Sequence, residues 1–578
     1  MANKKQSITE GALILTLAVA IVKIVGLIYK FPLISELAGG GWGYYQTAYN
    51  VYGAIYAVAV AGFPSAVARL VAGYSASGRY RDVLALRRES LRLFAVIGII
   101  GSVGLVLLAR PLVDTMQNPN AYFCVLAVAP SLFFSCLMSA YRGYYQGLSD
   151  MVPTAVSQVV EVLVKASFGY ASVVLINHFL AEEYDKYGTV LGIAQSADTE
   201  TSAILAVSSA GAIFAVTLST LAGYLSMLVI YRRRGNGFTA EMVAASPAPE
   251  RGELLRRQVL RYGFPLALSS IALRVTGLVD NATVLRRLAH VVQTDLAALY
   301  ASHGDLFSRI EVAVADLPNY LYEVYGYGMP LFDLVPTLTA TLGTSALPHI
   351  ASAMQRGDSP LVKRNIESCM GTTMLIAAPI GFGITFMAQP LLDLLYPALP
   401  VGVQLASPML SVLGVASVFS CLTSCVNTML NAVGRFRTPV KIMAVGCVIK
   451  VVVNYIFVAI PALNIKAAPL GNLLCYTTTG IIGLIVLMKS AAVELDFNRT
   501  MLKPVLAGAL SAAIARLIYN LAETLIPDRV ATIFAIGAAI CLYLALVLLL
   551  GMISREELLT MPGGRKICAL LEKLHLLR

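Results

Sequence analysis

An all-α polytopic membrane protein is the fold class this sequence predicts: about 14 transmembrane helices, in two parallel six-helix repeats followed by a C-terminal helix pair. Three observations predict it. Apolar residues make up 58% of the 578 and charged residues only 13%, against roughly 25% charged in soluble domains, and the mean hydropathy is +0.75. Runs of about 20 apolar residues, long enough to cross a bilayer, recur with short polar turns between them. Finally, a pattern in the first half returns in the second. Lys23-Ile24-Val25-Gly26-Leu27 and Arg274-Val275-Thr276-Gly277-Leu278 each place a cation, two residues, Gly and Leu well inside an apolar run.

The runs predict helices near 11–34, 47–72, 91–114, 121–147, 153–178, 203–231, 260–283, 326–352, 366–390, 401–430, 439–461, 467–490, 503–524 and 529–552. The first run is too long for a signal-peptide core and contains a lysine, so it is expected to stay uncleaved. Arg79, Arg81, Arg87 and Arg88, then Arg232 to Arg234 with Arg256 and Arg257, then Arg356, Lys363 and Arg364, then Arg435 and Arg437 fall in alternate loops. The intervening segments are poor in Lys and Arg, and Leu180 to Glu200 is acidic. Cytoplasmic loops carry the excess of positive charge, so both termini are expected in the cytoplasm. Arg286, Arg287 and Arg309, in the long outside segment 284–325, are the exceptions.

Three features test the duplication. The offset is 251 from Lys23 to Arg274, 280 from Ser65-Ala66-Val67 to Ser345-Ala346-Leu347, and 286 from Pro153 to Pro439. The jump falls where the second half carries its extra segment, so two parallel repeats with an insertion near 284–325 account for all three. The insertion holds two amphipathic segments, 288–300 and 305–317, readable as a lid or as a passive interfacial insert. The expected organisation is an N-terminal lobe at 1–235, a C-terminal lobe at 236–490, a helix pair at 491–552 and a basic amphipathic tail at 553–578. The tail's apolar face (Ile567, Leu570, Leu571, Leu574, Leu577) suits the inner leaflet.

The main functional signal is four cations placed deep in apolar runs: Lys23, Lys165, Arg274 and Lys450. From Gly11 to Lys23 a helix rises about 18 Å, which brings the ammonium near mid-membrane, where a charge costs about 2.5–3.5 kcal/mol or more. The functional reading is a hydrated central cavity that binds an anion. The bland reading is internal pairing: Glu161, four residues before Lys165, shares its helical face and is a ready counter-ion. Lys23 has no acid within a turn, Lys450 has only Asn454 four residues on, and the acid nearest Arg274 in sequence, Asp280, lies on another face. Lys30, seven residues after Lys23, is nearly on the same face, and Gly26 between them permits close approach of a ligand or a helix. Lys30 serves equally well as a snorkelling residue. Asp280 and Asp333 read as counter-ions, with cation coupling as the alternative.

Other chemistries find no support. There is no G-x-x-x-x-G-K-[ST] phosphate loop, no H-E-x-x-H and no G-x-S-x-G, and the five histidines are scattered, so no enzyme and no cofactor are expected. Eight of nine cysteines lie in apolar runs without C-x-x-C spacing and read as small buried hydrophobes. The net charge of +11 is explained by loop topology and does not call for nucleic acid.

Several stretches resemble a known family. Lys23-x-x-Gly26, Tyr44-Tyr45-Gln46, Gly62-Phe63-Pro64-Ser65-Ala66-Val67-Ala68, Tyr141-Arg142-Gly143-Tyr144-Tyr145-Gln146-Gly147 with Met151-Val152-Pro153, then Gly263-Phe264-Pro265 and Lys450-Val451-Val452-Val453-Asn454-Tyr455 are its carriers. Over residues 8–490 the chain looks like the stage V sporulation protein B and polysaccharide-biosynthesis branch of the MOP exporter superfamily, related to MurJ-type lipid II flippases. The resemblance implies alternating access in the bacterial plasma membrane. The substrate it implies is an undecaprenyl-pyrophosphate-linked cell-wall precursor or polysaccharide unit, and the partners are that lipid-linked glycan and the membrane lipids. It implies cavity arginines on the first, second and eighth helices. Lys23 matches the first position and Lys30 lies one beyond the next, while Tyr56 and Met329 stand where the other two would be, which leaves the sugar open. The expected substrate-binding set is Lys23, Gly26, Lys30, Glu161, Lys165, Arg274, Asp280 and Lys450. The drive is the membrane potential, with monovalent-ion coupling left open. The alternative is a cation-coupled multidrug exporter of the same superfamily.

Overall fold

The computed structural model describes residues 8–60, 63–196, 199–310, 312–435 and 437–552; the side chains of 8–17, 58–60, 265–276, 303, 305 and several residues within 340–355 are not described. The amphipathic tail expected at 553–578 lies outside the described residues. The chain is helical almost throughout, as it must be where lipid offers the backbone no hydrogen bonds. In order come α1 (Ile8–Ile28), α2 (Lys30–Glu36), α3 (Gly41–Val60), α4 (Phe63–Ala76), α5 (Tyr80–Thr115), α6 (Tyr122–Gly147), α7 (Val152–Tyr187), α8 (Glu200–Arg234), α9 (Ala240–Ala245), α10 (Gly252–Thr294), α11 (Leu296–His303) and α12 (Asp305–Ser308). Then follow α13 (Leu317–Tyr327), α14 (Met329–Arg356), α15 (Ser359–Phe386), α16 (Ala388–Leu395), α17 (Pro400–Ala432), α18 (Thr438–Phe457), α19 (Ala468–Ala491), α20 (Lys503–Ala522) and α21 (Asp528–Leu549).

Among the described residues, 11 helices are long and apolar enough to span a membrane. The other expected spans, 47–72, 260–283 and 326–352, fall on α3 with α4, on α10 and on α14, helices described only in part. The structure therefore leaves the expected count of 14 unconfirmed. Two lengths differ from expectation. The 36 residues of α7 run about 54 Å and carry the helix through the acidic segment. There a two-residue hairpin, Thr189–Val190 against Ile193–Ala194, turns at Leu191-Gly192 with both φ positive (53° and 74°), as a tight hairpin requires. Helix α10 continues to Thr294, absorbing the start of the 284–325 insertion.

Packing divides the chain into two units, Met1–Glu323 and Val324–Arg578. The packing boundary falls later than the expected 235/236 because α10 lies against α3, α4 and α5 of the first unit. In that unit Phe63, Val67, Phe94, Tyr141, Tyr144 and Met227 share one core. In the second, α14, α15, α17 and α19 close on Ile350, Ile366, Met370, Met429 and Leu487. The described cysteines are thiols and mostly buried; Cys369 and Cys425 meet at 3.6 Å inside the second core. Outward-facing positions are apolar too, such as Leu107, Phe123, Leu521 and Phe534, as lipid contact demands.

Glycines set the closest crossings. A Cβ on Gly143 would meet Pro64 O at 2.7 Å, and one on Gly147 would meet Ala68 O at 2.6 Å, so the first-half motif is a surface that lets α6 ride on α4. In the second unit Gly381 and Gly414 do the same for α15 and α17, each reaching the other's carbonyl at 2.8 and 2.6 Å. Overpacking costs about 1–3 kcal/mol. Gly147→Leu is expected to destabilise the first unit by that amount, seen as a lower thermal unfolding midpoint in detergent; an unchanged midpoint refutes the crossing.

Candidate functional site

The site is built on a break between α1 and α2. Pro32 lacks an N–H, and its ring cannot tolerate a helical carbonyl four residues back, so α1 ends at Ile28 and a new helix starts at Lys30. Across the break Leu33 N reaches Tyr29 O at a long 3.4 Å. Tyr29, at the corner, is buried and faces α7. The two helices run parallel: Gly26 meets Val162, Tyr29 meets Gly169, and Asn177 Nδ2 donates to Glu36 O at 3.2 Å.

This register brings Lys165 to the corner. Its ammonium lies 5.7 Å from the Tyr29 ring centre and 4.9 Å from that of Tyr49 on α3, both within cation–π range, and beside the Tyr45 hydroxyl. The Tyr29 and Tyr45 hydroxyls are 3.4 Å apart. Lys165 itself is half-buried. A half-buried ammonium with three N–H donors, flanked by phenol hydroxyls, is suited to an oxyanion such as a phosphate.

The bland reading of Lys165, a structural pair with Glu161, is not the arrangement found. Glu161 is taken by Arg142 of α6, in a short charge-assisted hydrogen bond, and Arg142 Nε also donates to Ser157 Oγ at 3.0 Å. Gly223 on α8 makes the room: a Cβ there would meet Glu161 Cγ at 2.8 Å and Met138 Sδ at 2.8 Å. With Glu161 in its ion pair to Arg142, Lys165 reaches the tyrosines.

The other expected residues are placed differently. Lys23 is exposed and, among the described residues, has no ion pair. It lies six residues before Tyr29, about 9 Å along the helix axis from that corner. Gly26 faces α7, with Val162 Cγ2 at 3.9 Å from its added Cβ, so its open face receives a helix. Lys30 is half-buried beside Tyr29. The Arg274 side chain lies outside the described residues, but its neighbour Gly277 approaches Asn50 Oδ1 of α3 at 3.4 Å from an added Cβ. Asp280 is buried next to Tyr322.

Lys450 belongs to the second unit and is 2% exposed. Its Nζ donates to Asn472 Oδ1 at 2.7 Å, and Asn472 Nδ2 donates to the Tyr325 hydroxyl at 2.5 Å. Gly471 keeps α19 close enough for this: an added Cβ would meet Asn454 Oδ1 at 2.4 Å. The structure thus assembles Lys165 with tyrosines in one unit and packs Lys450 into a hydrogen-bonded core in the other. Among the described residues no cluster of His, Cys, Asp and Glu could hold a metal ion.

Sequence reasoning missed three partners. Arg142 was read as part of a turn motif. The tyrosines of α3 were read only as a family marker, although Trp42, Tyr45, Tyr49, Tyr52 and Tyr56 repeat at helical spacing. Gly39-Gly40 was given no role, yet both φ are positive (106° and 121°) and their N–H groups donate to the buried Glu323 carboxylate at 3.1 and 2.6 Å, a backbone nest for an anion.

Membrane-length apolar helices, 11 among the described residues, define a polytopic membrane protein. Residues 8–315 match the family model described as polysaccharide biosynthesis protein, and residues 324–540 match that of lipid II flippase MurJ. The first match covers more than half of the chain, which therefore belongs to the polysaccharide biosynthesis protein family. The two matches meet where packing divides the chain. The lipid II flippase MurJ of Bacillus subtilis (strain 168) is 23% identical over 519 residues, covering 87% of each chain. Stage V sporulation protein B of the same organism is 22% identical over 569 residues, covering 96% of this chain and 98% of the relative. Among solved structures, lipid II flippase MurJ in an inward closed conformation aligns with a TM-score of 0.61 at 13% identity, over 92% of this chain and 98% of that one. An inward-facing MATE family multidrug resistance transporter aligns with a TM-score of 0.59 at 14% identity, over 81% and 94%. These likenesses establish the fold.

Proposed function

We propose that this protein is a flippase that moves an undecaprenyl-pyrophosphate-linked cell-wall or polysaccharide precursor across the bacterial plasma membrane by alternating access, with both termini in the cytoplasm. The observation that carries the reading is the half-buried Lys165 ammonium among Tyr29, Tyr45 and Tyr49, in a chain whose relatives include a lipid II flippase. Lys165 takes the pyrophosphate. Lys23, Lys30 and Arg274 add positive potential along its path, with Gly26 keeping α1 against α7. Asp280 and Glu161 hold the surrounding helices, and Lys450 orders the second unit.

An inside-negative potential favours outward movement of each negative charge by about 2.3 kcal/mol per 100 mV. In proteoliposomes holding the full chain, outward flipping of fluorescent lipid II is expected to accelerate when a potassium-diffusion potential makes the source side negative, and to slow when the sign is reversed. Failure to flip lipid II and other undecaprenyl-linked glycans, together with export of organic cations against a proton or sodium gradient, overturns the reading in favour of the multidrug exporter.

A further inference from the structure

Helix α3 carries a polar, aromatic face beside the Lys165 corner, where Tyr49 meets the ammonium and Asn50 Nδ2 donates to the Tyr322 hydroxyl at 3.4 Å. Trp42, Tyr45 and Tyr52 point inward and are buried, whereas Gln46, Tyr49, Asn50, Gly53 and Tyr56, which fall on one side at steps of three and four residues, are all half-buried. A helix face made of amides, phenols and a glycine is costly against hydrocarbon. Among the described residues it is also incompletely filled: a Cβ added at Gly53 meets nothing within 4 Å, and the Gln46 amide nitrogen is shielded from solvent without a described hydrogen-bond partner.

The rings of this helix form a continuous row. Centroids are 5.9 Å apart from Tyr45 to Tyr49, 6.0 Å from Tyr49 to Tyr52 and 5.5 Å from Tyr52 to Tyr56, so each holds the next in place. From Gln46 to Tyr56 the face extends about 15 Å, the reach of a short oligosaccharide. At Tyr49 it touches the Lys165 ammonium, and at Asn50 it borders Gly277 of α10.

We propose that the Gln46, Tyr49, Asn50, Gly53 and Tyr56 face of α3 binds the sugar rings of a phosphate-linked glycan whose phosphate is held by Lys165. The inference rests on the flippase reading above and names the part of the substrate that this surface selects. Aromatic rings offer flat apolar area to the C–H faces of sugars, amides and phenol hydroxyls satisfy the sugar hydroxyls, and Gly53 leaves space for a ring to lie on the helix.

The test uses the purified full chain in detergent and two probes, lipid II and undecaprenyl pyrophosphate without sugar, with binding measured for each. Wild type is expected to bind lipid II more tightly. Gly53→Leu, whose Cβ enters open space, is expected to weaken lipid II binding by about 10–200-fold, the range for a mismatched apolar group in a pocket. Its binding of undecaprenyl pyrophosphate is expected to stay within about twofold, and Tyr56→Ala to behave alike while Tyr56→Phe restores most of the affinity. Equal loss of both probes in Gly53→Leu, or no loss of either, overturns the sugar-binding face. Equal wild-type binding of both probes overturns it while leaving the phosphate reading standing, and wild-type binding of neither overturns both.

Discussion

Lys165→Gln is expected to reduce lipid-linked precursor flipping by at least about 30-fold while the protein still inserts and folds. Truncating one partner of a buried, hydrogen-bonded charge interaction costs about 2–5 kcal/mol, and about 1.4 kcal/mol is a factor of ten. Glutamine keeps much of the stem and a polar head, so the packing against Tyr29 and Tyr49 is largely retained. The forfeited cation–π attraction is worth only about 0.5–2 kcal/mol of stability. Lys165→Arg keeps the charge and stacks on the rings, and is expected to retain a measurable fraction of the rate. The readout is initial flipping rate in proteoliposomes, normalised to inserted protein. Wild-type rates in Lys165→Gln would remove the anion-binding role from this corner.

Glu161→Ala is expected to destabilise the first unit by about 3–5 kcal/mol, the usual result of leaving one member of a buried ion pair without its partner. The uncompensated charge is the Arg142 guanidinium, whose side chain is 12% exposed and whose remaining described side-chain bond is to Ser157. Replacing both residues by Met removes the charge along with its partner, and such double replacements are often neutral. The coupling energy from a double-mutant cycle in thermal or denaturant unfolding therefore isolates the pair. A Glu161→Ala variant as stable as wild type would show that Arg142 finds other partners. Activity gives a second reading. Because Glu161 pairs with Arg142, Glu161→Gln is not expected to mimic Lys165→Gln in flipping.

Several elements were legible at the level of single helices. The expected 121–147, 401–430 and 467–490 correspond to α6 (Tyr122–Gly147), α17 (Pro400–Ala432) and α19 (Ala468–Ala491), because apolar runs bounded by Pro, Gly or Asn leave a chain in lipid few alternatives to a helix. The expected 47–72 helix falls on α3 (Gly41–Val60) and α4 (Phe63–Ala76), and α7 and α10 outrun their apolar cores. Length of hydrophobic run measures the bilayer, and a helix is free to continue into water.

The candidate site was legible only as an inventory. Lys165 and Glu161 are four apart on one helix, the spacing that makes a local pair, yet an arginine from a neighbouring helix takes the carboxylate. Lys450 carries the same sequence signature as Lys165 and ends in a closed hydrogen-bonded cluster with Asn472.

By itself the sequence determined that this chain is a helical membrane protein, where most of its spans lie, which family pattern it carries and that cations are placed deep in apolar runs. Those properties depend on residues close together in the chain and on the solvent they must satisfy. Tertiary structure alone decided which cation is sealed, which is paired and which stands among tyrosines. The partner of a side chain is chosen by the rotation and register of neighbouring helices, and those are set by close contacts, such as Gly223 against Glu161, between residues far apart in the chain.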